Sequence, residues 1–299
     1  MCSVTDKLSQ LGERVDEARW SSLRELARLT ALKRSPNGQV HLGHWWRGPL
    51  LYALVRRYRP RQVLEFGMGR GYGAVCMAQA AIDAGFECTV WTIDVVPPSY
   101  RQPWLLDEGS GAQLRSLSVQ EVWEQHISTA VRQRVRWVTG ESAVVMKRWI
   151  KQGRPRIDFC FLDAGHDYWA VKQDWMTALR IANPGCGMLF DDYTDRRTYG
   201  VKRLIDREIQ PKLPGRVVEI VTMRSHDHTP YDEHLEHEMA WLSGEYIGDD
   251  PLKQFYSDSE IWRFERAYRW RAHTQRLERG LRSAVRRLVS SSKGGRRTT

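Results

Sequence analysis

Val63-Leu64-Glu65-Phe66-Gly67-Met68-Gly69-Arg70-Gly71-Tyr72-Gly73 runs from a short apolar strand into a glycine-dense turn, and the Ala-rich segment 74–84 that follows reads as a helix. Glycine admits backbone conformations closed to residues with a Cβ and lets a ligand approach the main chain. A helix N-terminus behind such a turn aims free N–H groups at that ligand. The turn is therefore a cradle for a nucleotide-like cofactor. From Gly69 the chain also satisfies G-x-G-x-x-A, so a dinucleotide remains open at this stage. Glu65, two residues before the first glycine, favours a cationic or amine-bearing ligand, because a carboxylate there repels a pyrophosphate.

Working outward, short apolar runs bounded by Gly, Pro or Asp predict strands over 62–66, 87–94, 135–139, 157–163, 187–191 and 216–223. Helical segments separate them, with an N-terminal helix expected over 5–33, a turn at Pro36-Asn37-Gly38 and a partly helical aromatic stretch from His41 to Tyr58. Strands alternating with helices imply right-handed crossovers. The expected fold is thus α/β, a Rossmann-like, mostly parallel seven-stranded sheet with helices on both faces, plus an N-terminal helical segment and a basic C-terminal helix. The expected divisions are a helical and aromatic cap (1–60), a cofactor-binding domain (61–245), a basic helical extension (246–289) and a disordered tail (290–299).

Of the 299 residues 41% are hydrophobic, enough for a full α/β core. The five cysteines are odd in number and form no CxxC pair, which argues against a disulfide framework and for a reducing cytoplasm. No apolar run reads as a signal peptide or a membrane span. The net charge of +10 looks at first like a nucleic-acid signature, yet residues 261–299 hold twelve Arg and Lys against two Glu and so carry all of it. Leu277, Leu281, Ala284, Val285 and Leu288 recur there at helical spacing among arginines. Such a helix suits an anionic membrane surface, a nucleic acid or an acidic partner. It equally suits packing on its own domain or on a second subunit of a homo-oligomer.

In a sheet of this kind ligands bind beyond the carboxyl ends of the strands. The second strand ends in Asp94, placed to accept the vicinal hydroxyls of a ribose or to cap the next turn. After the third, Glu141 meets an adenine amino group, or with Ser142 starts the helix over 143–150; both readings stay open. The fourth ends in Asp163-Ala164-Gly165-His166-Asp167-Tyr168 and the fifth in Asp191-Asp192-Tyr193. Three carboxylates converging at one edge repel unless something positive sits among them. A divalent cation with oxygen ligands, usually Mg²⁺, answers that need; the alternative is that the acids cap helices or pair with Arg196 and Arg197.

These motifs resemble the class I S-adenosylmethionine-dependent methyltransferases, and more narrowly the metal-assisted small-molecule O-methyltransferases of the macrolide-sugar and catechol types. The resemblance rests on Glu65 to Gly71, Asp94, Leu162 to Tyr168, and Asp191-Asp192-Tyr193 followed by Tyr199 to Ile205, and it spans about residues 45–225. It implies that Glu65, Gly67, Gly69 and Gly71 cradle the methionine moiety, with Asp94 on the ribose and Glu141 and Ser142 nearby. It implies Asp163, Asp191 and Asp192 as Mg²⁺ ligands, and His166, with Asp163, as the catalytic pair, the imidazole acting as general base on a hydroxyl of a small molecule or sugar. An all-aspartate set is a variant of the family pattern.

Trp45, Trp46 and Tyr52, with His41 and His44, form either an acceptor wall or packing for the N-terminal segment. The polar insert 224–238 holds His226, His228, His234 and His237, read as a mobile substrate loop in preference to a second metal site. Two other functions compete with small-molecule methylation. One is methylation of RNA or protein, suggested by the basic tail, and the other is a non-catalytic cofactor-binding scaffold held at a membrane or complex by that tail.

Overall fold

The computed structural model describes residues 2–13, 17–34, 38–43, 45–223 and 237–274. Its strands are β1 (Cys2–Ser3), β2 (Leu32–Arg34), β3 (Val40–Leu42), β4 (Gln62–Phe66), β5 (Thr89–Asp94), β6 (Gln102–Leu106), β7 (Gln113–Leu117), β8 (Val135–Thr139), β9 (Ile157–Leu162), β10 (Ala182–Phe190), β11 (Glu219–Met223) and β12 (His237–Leu242). The helices are α1 (Val4–Gln10), α2 (Glu17–Thr30), α3 (Arg47–Tyr58), α4 (Tyr72–Asp83), α5 (Val119–His126), α6 (Thr129–Arg134), α7 (Ser142–Lys151), α8 (Tyr168–Ile181) and α9 (Val201–Leu204).

The expected mostly parallel sheet is present, in the order β8-β5-β4-β9-β10-β12-β11, with β12 antiparallel to both its neighbours. An eighth, two-residue strand, β1, pairs parallel with β11 at the edge. Strands β4 and β9 are neighbours although 91 residues separate Phe66 from Ile157. From β4 the chain builds outward to β5 and β8, then returns to β9 and β10 on the other side. That reversal opens a crevice above the carboxyl ends of β4 and β9, where ligands bind in doubly wound sheets.

Central strands β4 and β9 are buried at nearly every position, as a parallel sheet covered on both faces requires. Helix α3, from the segment expected as an N-terminal cap, is buried at every residue from Gly48 to Val55 and packs on α4. Residues Met1–Gln254 form one compact unit that contains both it and the sheet. Phe255–Thr299 form a second unit, in which 258–274 are helical. The apolar stripe Leu277 to Leu288 and the tail 290–299 lie outside the described residues. No described helix is long and apolar enough to cross a membrane.

Three local expectations change. The single helix over 5–33 is two helices: Gly12 at φ 71° ends α1, and 32–34 pair as a strand with 40–42. Between β5 and α5 lies a hairpin, β6–β7, where only helix was expected. Asp107 builds its turn by accepting from the N–H groups of Gly109 and Gly111, and Trp104 anchors it by donating to Leu29 O at 2.8 Å. Strand β10 starts five residues before the expected Gly187, crossing a register shift between Ala182 and Gly187 that contains Pro184.

Candidate active site

The glycine turn is built largely from its own backbone. Gly67, Gly69 and Gly71 all have positive φ, at 84°, 55° and 86°. At Gly67 a Cβ would fall 2.2 Å from Asp163 O, so the turn and the end of β9 approach closer than any side chain allows. Gly69 faces open space. Asp94 ties the turn to β5: its carboxylate accepts from Gly69 N at 3.0 Å and from Val96 N at 2.9 Å. Arg70 fastens the other side, donating to Leu32 O at 2.6 Å and Pro103 O at 3.1 Å.

Glu65 is 1% exposed and lies under the first turn of α4, where a Cβ on Gly73 would fall 2.3 Å from its Oε1. Burial pushes its carboxyl up to about 8, against the opposing effects of the Arg47 charge and of the nearby Thr92 hydroxyl. Its Oε2 has no hydrogen-bond partner among the described residues. Glu141 is exposed at the start of α7, and Ser142 gives its hydroxyl to Asp174 on α8, which ties two helices together.

Across the crevice the acids do converge, but their partners differ from those expected. His166, in the turn after β9, has Nδ1 2.6 Å from Asp192 Oδ2, and its ring stacks on Tyr199 with centroids 5.1 Å apart. The hydrogen bond to Asp192 raises the His166 pKa above the ordinary value, with burial opposing it. Gly200 N donates to His166 O at 2.7 Å, and Asp167 caps α8 by accepting from Trp169 N and Ala170 N. The loop that presents the imidazole is therefore held from both ends. Asp192 has φ 56°, a left-handed conformation uncommon for a residue with a side chain and concentrated at functional sites.

Two further residues complete the cluster: Arg47, which no motif singled out, and His237, expected in a substrate loop and found at the start of β12. Arg47 Nη1 donates to Asp163 Oδ2 at 2.6 Å and to Asp191 Oδ2 at 2.7 Å. Burial disfavours its charge, but the carboxylates of Asp163 and Asp191 outweigh this and hold it protonated. His237, the first residue of β12, places Nε2 2.5 Å from Asp191 Oδ1 and Nδ1 3.8 Å from Asp192 Oδ1. Burial works against its charged form too, and the two aspartates raise its pKa above the usual value. The Asp163 carboxyl is pushed well up by burial, Arg47 pulling it down and Asp191 adding to the rise.

Arg196 lies over the Tyr199 ring, 6.0 Å away, and it is Arg47 that pairs with the acids. One signal for Arg47 was present in the chain. A cation at the first position of a helix opposes the macrodipole, so something else must hold it there. His237 becomes legible only through pairing, since the β10–β12 register brings the start of β12 level with the residues just beyond Phe190. His226, His228 and His234 lie outside the described residues, as does His44. Trp45 and Tyr52 are buried, the Tyr52 hydroxyl bonding Asp83 at 2.7 Å, which favours packing over an acceptor wall at those two positions.

The expected Mg²⁺ set of Asp163, Asp191 and Asp192 does not fit the arrangement. Asp163 Oδ2 and Asp191 Oδ2 share one guanidinium nitrogen. Among the described residues the group whose donor atoms gather within 4.8 Å is Asp191, Asp192 and His237, which brings a nitrogen where Mg²⁺ prefers oxygen.

A mostly parallel sheet with this strand order and a glycine cradle at the switch point define a doubly wound, cofactor-binding α/β fold. Residues 64–193 match the family model described as a methyltransferase domain. Among solved structures, the O-methyltransferase from Bacillus cereus in complex with SAH is 20% identical, over 80% of this chain and 97% of that one, with a TM-score of 0.45. The O-methyltransferase TomG from Streptomyces achromogenes, involved in tomaymycin synthesis and solved with SAM, is 18% identical, over 79% and 94%, with a TM-score of 0.46. No curated protein matches the chain.

Proposed function

We propose that the chain transfers a methyl group from S-adenosylmethionine to a hydroxyl of a small molecule, with His166 as general base. The observation that carries this reading is the His166–Asp192 pair at 2.6 Å, set beyond β9 across from the glycine turn. S-adenosylmethionine supplies a methyl already activated on sulfur, so the protein has only to align an oxygen and remove its proton. Asp192 holds the imidazole at Nδ1 and leaves Nε2 to take that proton from the acceptor. The hydrogen bond to Asp192 raises the His166 pKa above its usual value, so the neutral ring is a stronger base while a smaller share of it is unprotonated at neutral pH.

Gly67, Gly69 and Gly71 would receive the methionine moiety along their backbone, its ammonium supplying the partner that Glu65 Oε2 lacks among the described residues and favouring the ionised form of that carboxyl. Asp94 keeps acceptor lone pairs for the ribose hydroxyls beyond the two N–H groups it already holds. Glu141, exposed beyond β8, suits the adenine amino group. Mg²⁺ assistance, implied by the family resemblance, does not fit the Arg47-bridged carboxylates.

Calorimetric titration with S-adenosylmethionine and with NADH tests the cofactor, the first expected to bind and the second not. Methyl transfer to a panel of hydroxylated small molecules tests the reaction: His166→Ala should lower turnover by about 10²- to 10⁴-fold while S-adenosylmethionine still binds. A variant that turned over like wild type would remove His166 from the mechanism.

A further inference from the structure

Resting on the methyltransferase reading above, we infer that Arg47 is the resident cation of the Asp163–Asp191–Asp192 cluster and stands in the place of a divalent ion. The three carboxylates come from two turns, Asp163 after β9 and Asp191-Asp192 after β10, and each already meets a side-chain partner. Asp163 accepts from Arg47, Asp191 from Arg47 and His237, and Asp192 pairs with His166. One guanidinium nitrogen bridges two of them at 2.6 and 2.7 Å, with the Arg47 and Asp191 side chains only 15% and 4% exposed.

Arg47 cannot easily swing aside. The backbone before it is gripped by Tyr72, whose hydroxyl donates to Trp45 O at 2.9 Å. Immediately after it, a Cβ on Gly48 would fall 2.2 Å from the Tyr72 hydroxyl and 2.8 Å from Cys76 Sγ, so α3 is pressed onto α4 at this point. The guanidinium also lies over the Phe161 ring at 5.7 Å. A divalent ion bound to the same aspartates would sit beside this fixed positive charge, in a poorly screened site where like charges repel strongly. A guanidinium also bridges carboxylates with directed hydrogen bonds that a spherical ion lacks. Its function here is to hold Asp163 and Asp191 in place beside His166, as a positioning residue.

The test is Mn²⁺ binding, followed by the loss of the free-ion electron paramagnetic resonance signal, on the full chain with S-adenosylhomocysteine present and no acceptor. Wild type is expected to leave the signal unchanged up to millimolar Mn²⁺. Arg47→Met, which frees the carboxylates, is expected to bind Mn²⁺ at least about a hundredfold more tightly than wild type. Stoichiometric Mn²⁺ binding by wild type in the micromolar range, lost in Asp191→Asn, overturns the inference, and so does a folded Arg47→Met chain with no gain in affinity. If Arg47→Met does not fold, the wild-type titration alone decides. A tight Mn²⁺ site would leave the methyl-transfer reading intact, whereas failure to bind S-adenosylhomocysteine would strike that reading and not this one.

Discussion

The two sides of the crevice are built in opposite ways. On the glycine side, Glu65 to Gly71 are contiguous and Asp94 ends the next strand, so nearly all the parts come from one β-α-β passage and act largely through backbone N–H groups. On the acid side the parts come from α3, the ends of β9 and β10, and β12, and they act through side chains that neutralise one another. The difference separates two tasks. On the proposed reading, a cofactor common to many reactions is held by local backbone geometry, whereas proton removal depends on a charge cluster assembled from distant segments.

That division predicts distinct kinetic signatures. On the acid side, His166→Ala should lower kcat by about 10²- to 10⁴-fold while leaving the Kd for S-adenosylmethionine nearly unchanged. Equal losses in both would merge the two sides into one site. On the glycine side, Gly67→Ala places a Cβ against Asp163 O in a left-handed backbone and should cost about 1–3 kcal/mol from the backbone strain alone, with further loss from the clash. Thermal unfolding would show this as a drop in Tm. A Tm equal to that of wild type would mean that the turn and β9 can separate freely.

Glu65 sharpens the comparison through pH. Its carboxyl is raised from 4.5 to about 8 by burial, so between those values the folded chain keeps a proton that the unfolded chain has lost. Stability from this group therefore falls as pH rises through that window. Glu65→Gln should flatten the fall, gaining a few degrees in Tm relative to wild type at pH 8 and little at pH 5, and weaken S-adenosylmethionine binding by about tenfold. An unchanged pH profile would show that Glu65 is not the group responsible. The smallest effect is expected at the far end of the chain. Removing residues 275–299 should change the S-adenosylmethionine Kd and the rate on a small hydroxyl acceptor by less than about twofold. Loss of activity there would favour a macromolecular acceptor or an anchoring role.

Much of the glycine side was legible in advance. The strand over 62–66 and the order of alternating elements follow from apolar runs bounded by breakers, and the turn follows from glycines that only a positive φ explains. His166 and the three acids were legible as strand-end residues, because a parallel sheet sends every such end to the same edge. The partners of Arg47 and His237 were not. Nothing within a few residues of either reports the carboxylates they meet, since the contacts span 116 and 144 residues for Arg47 and 46 for His237.

The sequence by itself determined the sheet, the cradle and the presence of uncompensated carboxylates at its rim, because these depend on local periodicity, glycine conformation and chain direction. The identity of the compensating charge was decided only by tertiary structure. Electrostatic pairing in a buried cluster depends on distance in space, and α3 must pack on α4 before Arg47 can reach acids more than a hundred residues away. Folding turned a set of acids that asked for a metal into one that an arginine and two histidines already satisfy.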